Sequence, residues 1–160
     1  PVSVNDLAWW LAVTKKTTRS LLKESGAHEV VPGMWVSVSR KDRFEKHLLR
    51  TVKSPTTNVW FLPAWDPLLM GYAPRSRQRI CLGLDSIGGY DASGNGRPVV
   101  LIGGRAVTTW RTVLRGTKRY LDLDLEDVAK KEQTIIQKAA VTWAKRIGAI
   151  FNPEPKIKTP

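Results

Sequence analysis

Between Val59 and Leu123 the chain is divided into short apolar runs by glycine, proline and small polar residues. This is the feature that most limits what it can fold into. VWFLPAW, RICLGL, RPVVLI, RAVTTWRTV and GTKRYLDLDL have the length and the β-branched or aromatic content of strands. Gly103-Gly104 stands between two of them as a two-residue hairpin signal. Four or five short strands joined by turns predict a small antiparallel β-barrel or sheet over residues 59–124. Cys81 falls inside one run and reads as a buried thiol.

The periodicity on either side is helical. In SVNDLAWWLAVTKKTTRSLLKESG, Ser3 is placed to cap a first helix, with Asp6 as its capping-box partner. Leu7, Trp10 and Leu11 share a face of that helix. Thr14 caps a second helix from Lys15 to about Ser25, with Leu21 and Leu22 inward and Gly26 as the stop. HEVVPGMWVSV follows, and Pro32-Gly33 suits a type II turn between two short strands. A helix pair followed by a hairpin is the pattern of a winged helix-turn-helix, here residues 1–39, with a first helix expected upstream.

Residues 40–58 read as a helical linker, with Phe44, Leu48 and Leu49 in a short helix and Ser54 to Asn58 as connector. Residues 125–149 form the clearest helix. Asp124 is its expected cap, Glu126 and Asp127 suit its start, Lys145 and Arg146 suit its end, and Gly148 stops it. Val128, Ile135, Ile136, Ala139, Trp143 and Ile147 give this helix one apolar face, so it is expected to cover the strands. Residues 150–160 read as a tail. The fold class is therefore α+β. The lack of an initiator Met and of the first helix leads us to expect the C-terminal part of a longer protein.

Charge narrows the partner. Apolar content of 42% with 25% charged residues reads as globular, while a formal charge of +12 points to a polyanion. The excess is concentrated before residue 121, and the strand region carries eight arginines but only one lysine, Lys118. Arginine's planar fork suits phosphate oxygens and stacking on bases. On the second helix Lys15, Lys16, Thr18, Arg19 and Lys23 fall outward. In the strand region Arg75, Arg77, Arg79, Arg105 and Arg111 are the expected contacts, and an extended Arg75–Arg79 would aim three of them one way. Together these ten form the expected interface with double-stranded DNA.

Other chemistry finds little support. A single cysteine and the isolated His28 and His47 offer no metal set, and no cofactor is expected. Asp66 is the best acidic candidate, but before Pro67 its simpler role is to bond turn backbone. Asp85 and Asp91 have no spacing that pairs them with it. IGGYDASGNG, spanning Gly88 to Gly96, is not a phosphate loop of the GxxxxGK[ST] kind; it is either a flexible hairpin loop or one that approaches a nucleic-acid backbone closely. The seven tryptophans read mostly as core, with Trp110 beside Arg111 as a possible stacking group. No apolar run has the roughly 20 residues needed to cross a bilayer, and no signal peptide opens the chain. A cytoplasmic, nucleoid-associated monomer is expected.

LAWWL with its basic second helix, FLPAWDPLLMGY and RPVVLIGGRAVTTWR resemble the C-terminal half of winged-helix proteins in the AlkZ-like DNA glycosylase family. The resemblance runs over about residues 3 to 148, and Leu62-Pro63 with Asp66-Pro67 is its most specific part. It implies tandem winged helices and a small β-barrel in a C-shaped DNA-binding scaffold. Some members excise alkylated purines and unhook interstrand crosslinks. The family's catalytic motif is Gln, an apolar residue, then Gln or Asp, in an earlier winged helix. Gln78, Gln133 and Gln137 do not match it. The resemblance thus implies a DNA-binding part with no catalytic residue of its own. A winged-helix transcription regulator and a non-enzymatic interaction domain are the alternatives.

Overall fold

The computed structural model describes residues 1–48 and 57–152 of the 160. It is a mixed α+β fold in two compact units. One holds the described residues of 1–56 together with Asp66–Leu82; the other holds Thr57–Trp65 and the described residues from Gly83 onward.

In the first unit, short-range caps set the helices. The Ser3 hydroxyl accepts the Asp6 N–H at 3.0 Å and donates to the Asp6 carboxylate at 2.6 Å, opening α1 (Val4–Leu11). Ala12, with φ +53°, ends α1 and turns the chain. Thr14 Oγ1 accepts the Thr17 N–H and opens α2 (Lys15–Glu24). Both expected caps are present. The strands β1 (Val2–Ser3), β2 (His28–Val31) and β3 (Met34–Val36) form an antiparallel sheet in the order β1-β3-β2. Gly33 sits at φ +78° in the β2–β3 turn, where the Pro32-Gly33 reading put the positive-φ residue. α3 is Lys41–Leu48; the expected Leu49 and the Ser54–Thr56 part of the connector lie outside the described residues.

Asp66–Leu82 departs from expectation. It was assigned to the strand region, yet it holds two short helices, α4 (Pro67–Met70) and α5 (Arg77–Leu82), and packs in the first unit. Asp66 Oδ1 accepts the Leu68 N–H at 2.9 Å and Pro67 fills the first helical position, so Asp66 caps α4, the backbone-bonding role expected of it. Ser76 Oγ accepts the Arg79 N–H at the start of α5. Cys81 is therefore on a helix and exposed, not a buried strand thiol.

The second unit is a five-stranded sheet in the order β4-β5-β6-β7-β8. β4 (Val59–Leu62), β5 (Val99–Ile102), β6 (Arg105–Arg115) and β7 (Lys118–Leu123) are antiparallel, with Gly103-Gly104 turning β5 into β6. β8 (Ile150–Phe151) comes from the expected tail and pairs in parallel with β7. Among the described residues β4 and β8 are the outer strands of this ladder, and the parallel β7–β8 pair makes the sheet mixed.

α6 (Lys130–Arg146) covers the sheet, and its Ile136, Ala140 and Ala144 meet Phe61, Val100, Val107 and Leu121. Phe61 stacks on Trp143 at 5.7 Å, and Trp110 meets both rings edge-on. α6 begins five residues later than residue 125. Leu125 to Val128 forms a turn whose carbonyls at Leu125 and Val128 accept the Gln133 amide, leaving Val128 free to enter the core. Four tryptophans, Trp9, Trp10, Trp60 and Trp65, are exposed, against the expectation of core packing.

Candidate nucleic-acid interface

α2 carries the first cationic surface. Thr18 and Leu22 mark its buried side, so Lys15, Arg19 and Lys23, four residues apart, form a row on its outer flank with Lys16 beside it. All four are exposed, and none has an ion pair among the described residues. Lys15, Arg19 and Lys23 line an open cleft of about 460 Å³ together with Asn5, Glu29 and Trp35. Glu29, the acid of that cleft, accepts the Gly33 N–H at 2.6 Å in the hairpin turn. Thr18 is a correction. It is fully buried, and its hydroxyl donates to the Thr14 carbonyl at 3.0 Å, so it packs α2 and offers nothing to a ligand.

Arg75, Arg77 and Arg79 are not a row on the sheet. Arg75 sits in a turn at φ +61°, and Arg77 and Arg79 lie on α5, where two residues span about 200° of the helix. Arg75 and Arg77 are exposed, whereas Arg79 is only 8% exposed and belongs to the packing of the first unit.

In the second unit Arg105 reaches the Glu132 carboxylate at 2.7 Å, and Arg111 meets its cross-strand partner Asp122 at 2.9 Å. Both cations are exposed but already paired. A group that sequence reasoning passed over is more open. Arg115 and Lys118 stand directly opposite each other at the end of the β6–β7 hairpin, and Arg119 is next along, opposite Leu114. The Arg115 guanidinium lies 5.2 Å from the Tyr120 ring centroid. Among the described residues none of the three has an acidic partner. The signal was RGTKR, with Gly-Thr as a two-residue turn and Gly116 at φ +60°.

The glycine-rich loop is clamped. Asp91 accepts the N–H groups of Ser93 and Asn95 and the Asn95 side-chain amide, each at 2.9 Å. The Asn95 side-chain bond, then the Asn95 and Ser93 backbone bonds and the charge of Arg97, hold its carboxyl below the usual range. Asp91 thus organises a turn. His28 and His47 are exposed, and no cluster of His, Cys, Asp and Glu among the described residues could hold a metal ion. No helix of the described residues is long and apolar enough to cross a membrane.

The family model for DNA glycosylase AlkZ-like proteins matches residues 1–145. No curated protein matches the chain. Among solved structures, the Streptomyces sahachiroi DNA glycosylase AlkZ is similar, with a TM-score of 0.61 and 20% identity. The likeness covers 93% of this chain and 40% of that one, so the chain spans well under half the length of that structure.

Proposed function

Because the chain belongs to the AlkZ-like DNA glycosylase family, we propose that it is the part of a repair glycosylase that grips double-stranded DNA, with the catalytic residues upstream. The observation that carries this reading is the row of Lys15, Arg19 and Lys23 beside a cleft, with no ion pair among the described residues, in a chain of charge +12. On this reading α1, α2 and the β1-β3-β2 sheet are a winged helix, with α2 as recognition helix and the β2–β3 hairpin as wing. The hairpin end at Arg115, Lys118 and Arg119 supplies a second phosphate contact. Exposed, unpaired Lys and Arg bind phosphates by releasing condensed counterions, without reading sequence.

Neither a Gln–apolar–Gln nor a Gln–apolar–Asp triplet occurs in the 160 residues, and the carboxylates of Asp66 and Asp91 are engaged with backbone N–H groups. On this reading base release falls to residues outside this chain, acting on alkylated or crosslinked DNA in the cytoplasm. Fluorescence anisotropy of the full chain on labelled duplex, repeated across salt concentrations, tests the grip. For about five phosphates the log affinity should fall against log salt with a slope of about −4.5. An affinity independent of salt sinks the proposal. Preference for one operator sequence over alkylated duplex would assign the chain to transcriptional regulation instead.

A further inference from the structure

Trp65 stands at a backbone position that costs a bulky residue more than it would cost glycine. Its φ is +61°, in the left-handed region that bulky residues rarely adopt, and it occupies the second central place of the turn at Ala64-Trp65. Glycine is the usual occupant of such a position. Its side chain is 61% exposed and makes no hydrogen bond among the described residues, whereas the indole N–H groups of Trp9 and Trp110 are bonded to carbonyls. The display is nevertheless firm. Trp65 N–H donates to the Gly96 carbonyl at 3.3 Å, and Gly96 is bridged to Tyr90 across the loop that Asp91 clamps. Leu62, three residues before, is fixed in the β4 ladder and accepts the Trp110 indole N–H. Pro63 and Pro67 further restrict the chain on both flanks.

A left-handed backbone and an exposed indole both oppose folding, and neither adds to the core of the second unit. Strain kept by a rigid surround is a mark of a functional position. A large flat ring carried on a pinned backbone suits another flat ring, because Trp has only two side-chain torsions to immobilise on stacking. We infer that Trp65 is a stacking platform for an unpaired or extruded nucleobase, a binding residue separate from the phosphate contacts. The inference rests on the DNA-binding reading above and adds what the site would recognise. Exposed Arg97, one residue beyond Gly96, places a cation next to the loop that holds the ring.

The test compares two labelled duplexes, one fully paired and one with a single unpaired base, bound by the full chain. The parent should prefer the second. Trp65→Ala should weaken binding to the unpaired-base duplex by about five- to a hundredfold while changing the paired duplex less than about twofold. Trp65→Phe should retain most of the preference. Trp65→Gly should melt at a higher temperature than the parent and yet lose the preference, because it removes the strain and the ring together. An unchanged ratio in Trp65→Ala, or a lower melting temperature in Trp65→Gly, overturns the inference. A parent that binds both duplexes equally also overturns it while leaving the DNA-binding reading in place. A parent that binds neither duplex overturns both.

Discussion

The Asp6 carboxylate, fully buried in α1, accepts the backbone N–H of Ala73 at 2.9 Å across 67 residues of sequence. Its other oxygen takes the Ser3 hydroxyl, and Trp9, one turn along the helix, donates its indole N–H to the Met70 carbonyl. Two of the three stretches that carry the family resemblance, LAWWL and DPLLMGY, are thus one structural joint. Asp6→Ala leaves the buried Ala73 N–H without an acceptor and opens the α1 cap. We expect a loss of roughly 2–3 kcal/mol, read as a lower urea midpoint with an unchanged m-value. Amide exchange should quicken first at Ala73.

Tyr72 adjoins that joint, and its hydroxyl pKa is raised, first by burial and then by the Asp6 charge. The folded state therefore holds this proton more tightly than the unfolded chain. The resulting stability is fully present below the ordinary tyrosine value near 10 and is lost as pH rises through the folded value. Urea midpoints measured from pH 8 to 11 should fall more steeply for the parent than for Tyr72→Phe. Equal slopes would show that Tyr72 does not titrate differently on folding.

Asp91 has the opposite sign. Its lowered pKa means that the contribution is present above the ordinary carboxylate value and disappears as pH falls through the folded one. The Ser93 and Asn95 amides that it accepts should lose exchange protection on acidification before the β5–β6 amides do. Asp91→Asn should remove most of that pH dependence.

What was legible in the sequence was local. Ser3 with Asp6, Thr14, Pro32-Gly33, Asp66-Pro67 and Gly103-Gly104 each act within a few residues, and each stands where its chemistry put it. RICLGL was misread because a short apolar run has no period long enough to separate strand from helix. Ser76, which accepts the Arg79 N–H at the start of α5, was the overlooked sign. Among the candidate contacts the exposed faces of α2 were readable from spacing. The burial of Thr18 and Arg79 and the pairings Arg105–Glu132 and Arg111–Asp122 were not, since they depend on which segments meet. The same holds for the opposed cations Arg115 and Lys118, which become neighbours only in the β6–β7 register.

That register separates cations that are free to bind from cations that are already engaged. Like charges directly opposite on a hairpin repel, so Arg115 and Lys118 weaken the β6–β7 end in the absence of a polyanion. Replacing Arg115, Lys118 and Arg119 together with Gln should leave the melting temperature unchanged or raise it. The same triple should flatten the salt slope of DNA binding by about 2.7, for three phosphate contacts. Arg105→Gln with Arg111→Gln should behave differently. It removes two exposed ion pairs, each worth about 1 kcal/mol or less, and should flatten the slope less per charge because those cations already face Glu132 and Asp122. Anisotropy titrations at four or more salt concentrations decide the matter. If the paired arginines change the slope as much per charge as the hairpin cations do, the β6–β7 end is not a preferred phosphate contact.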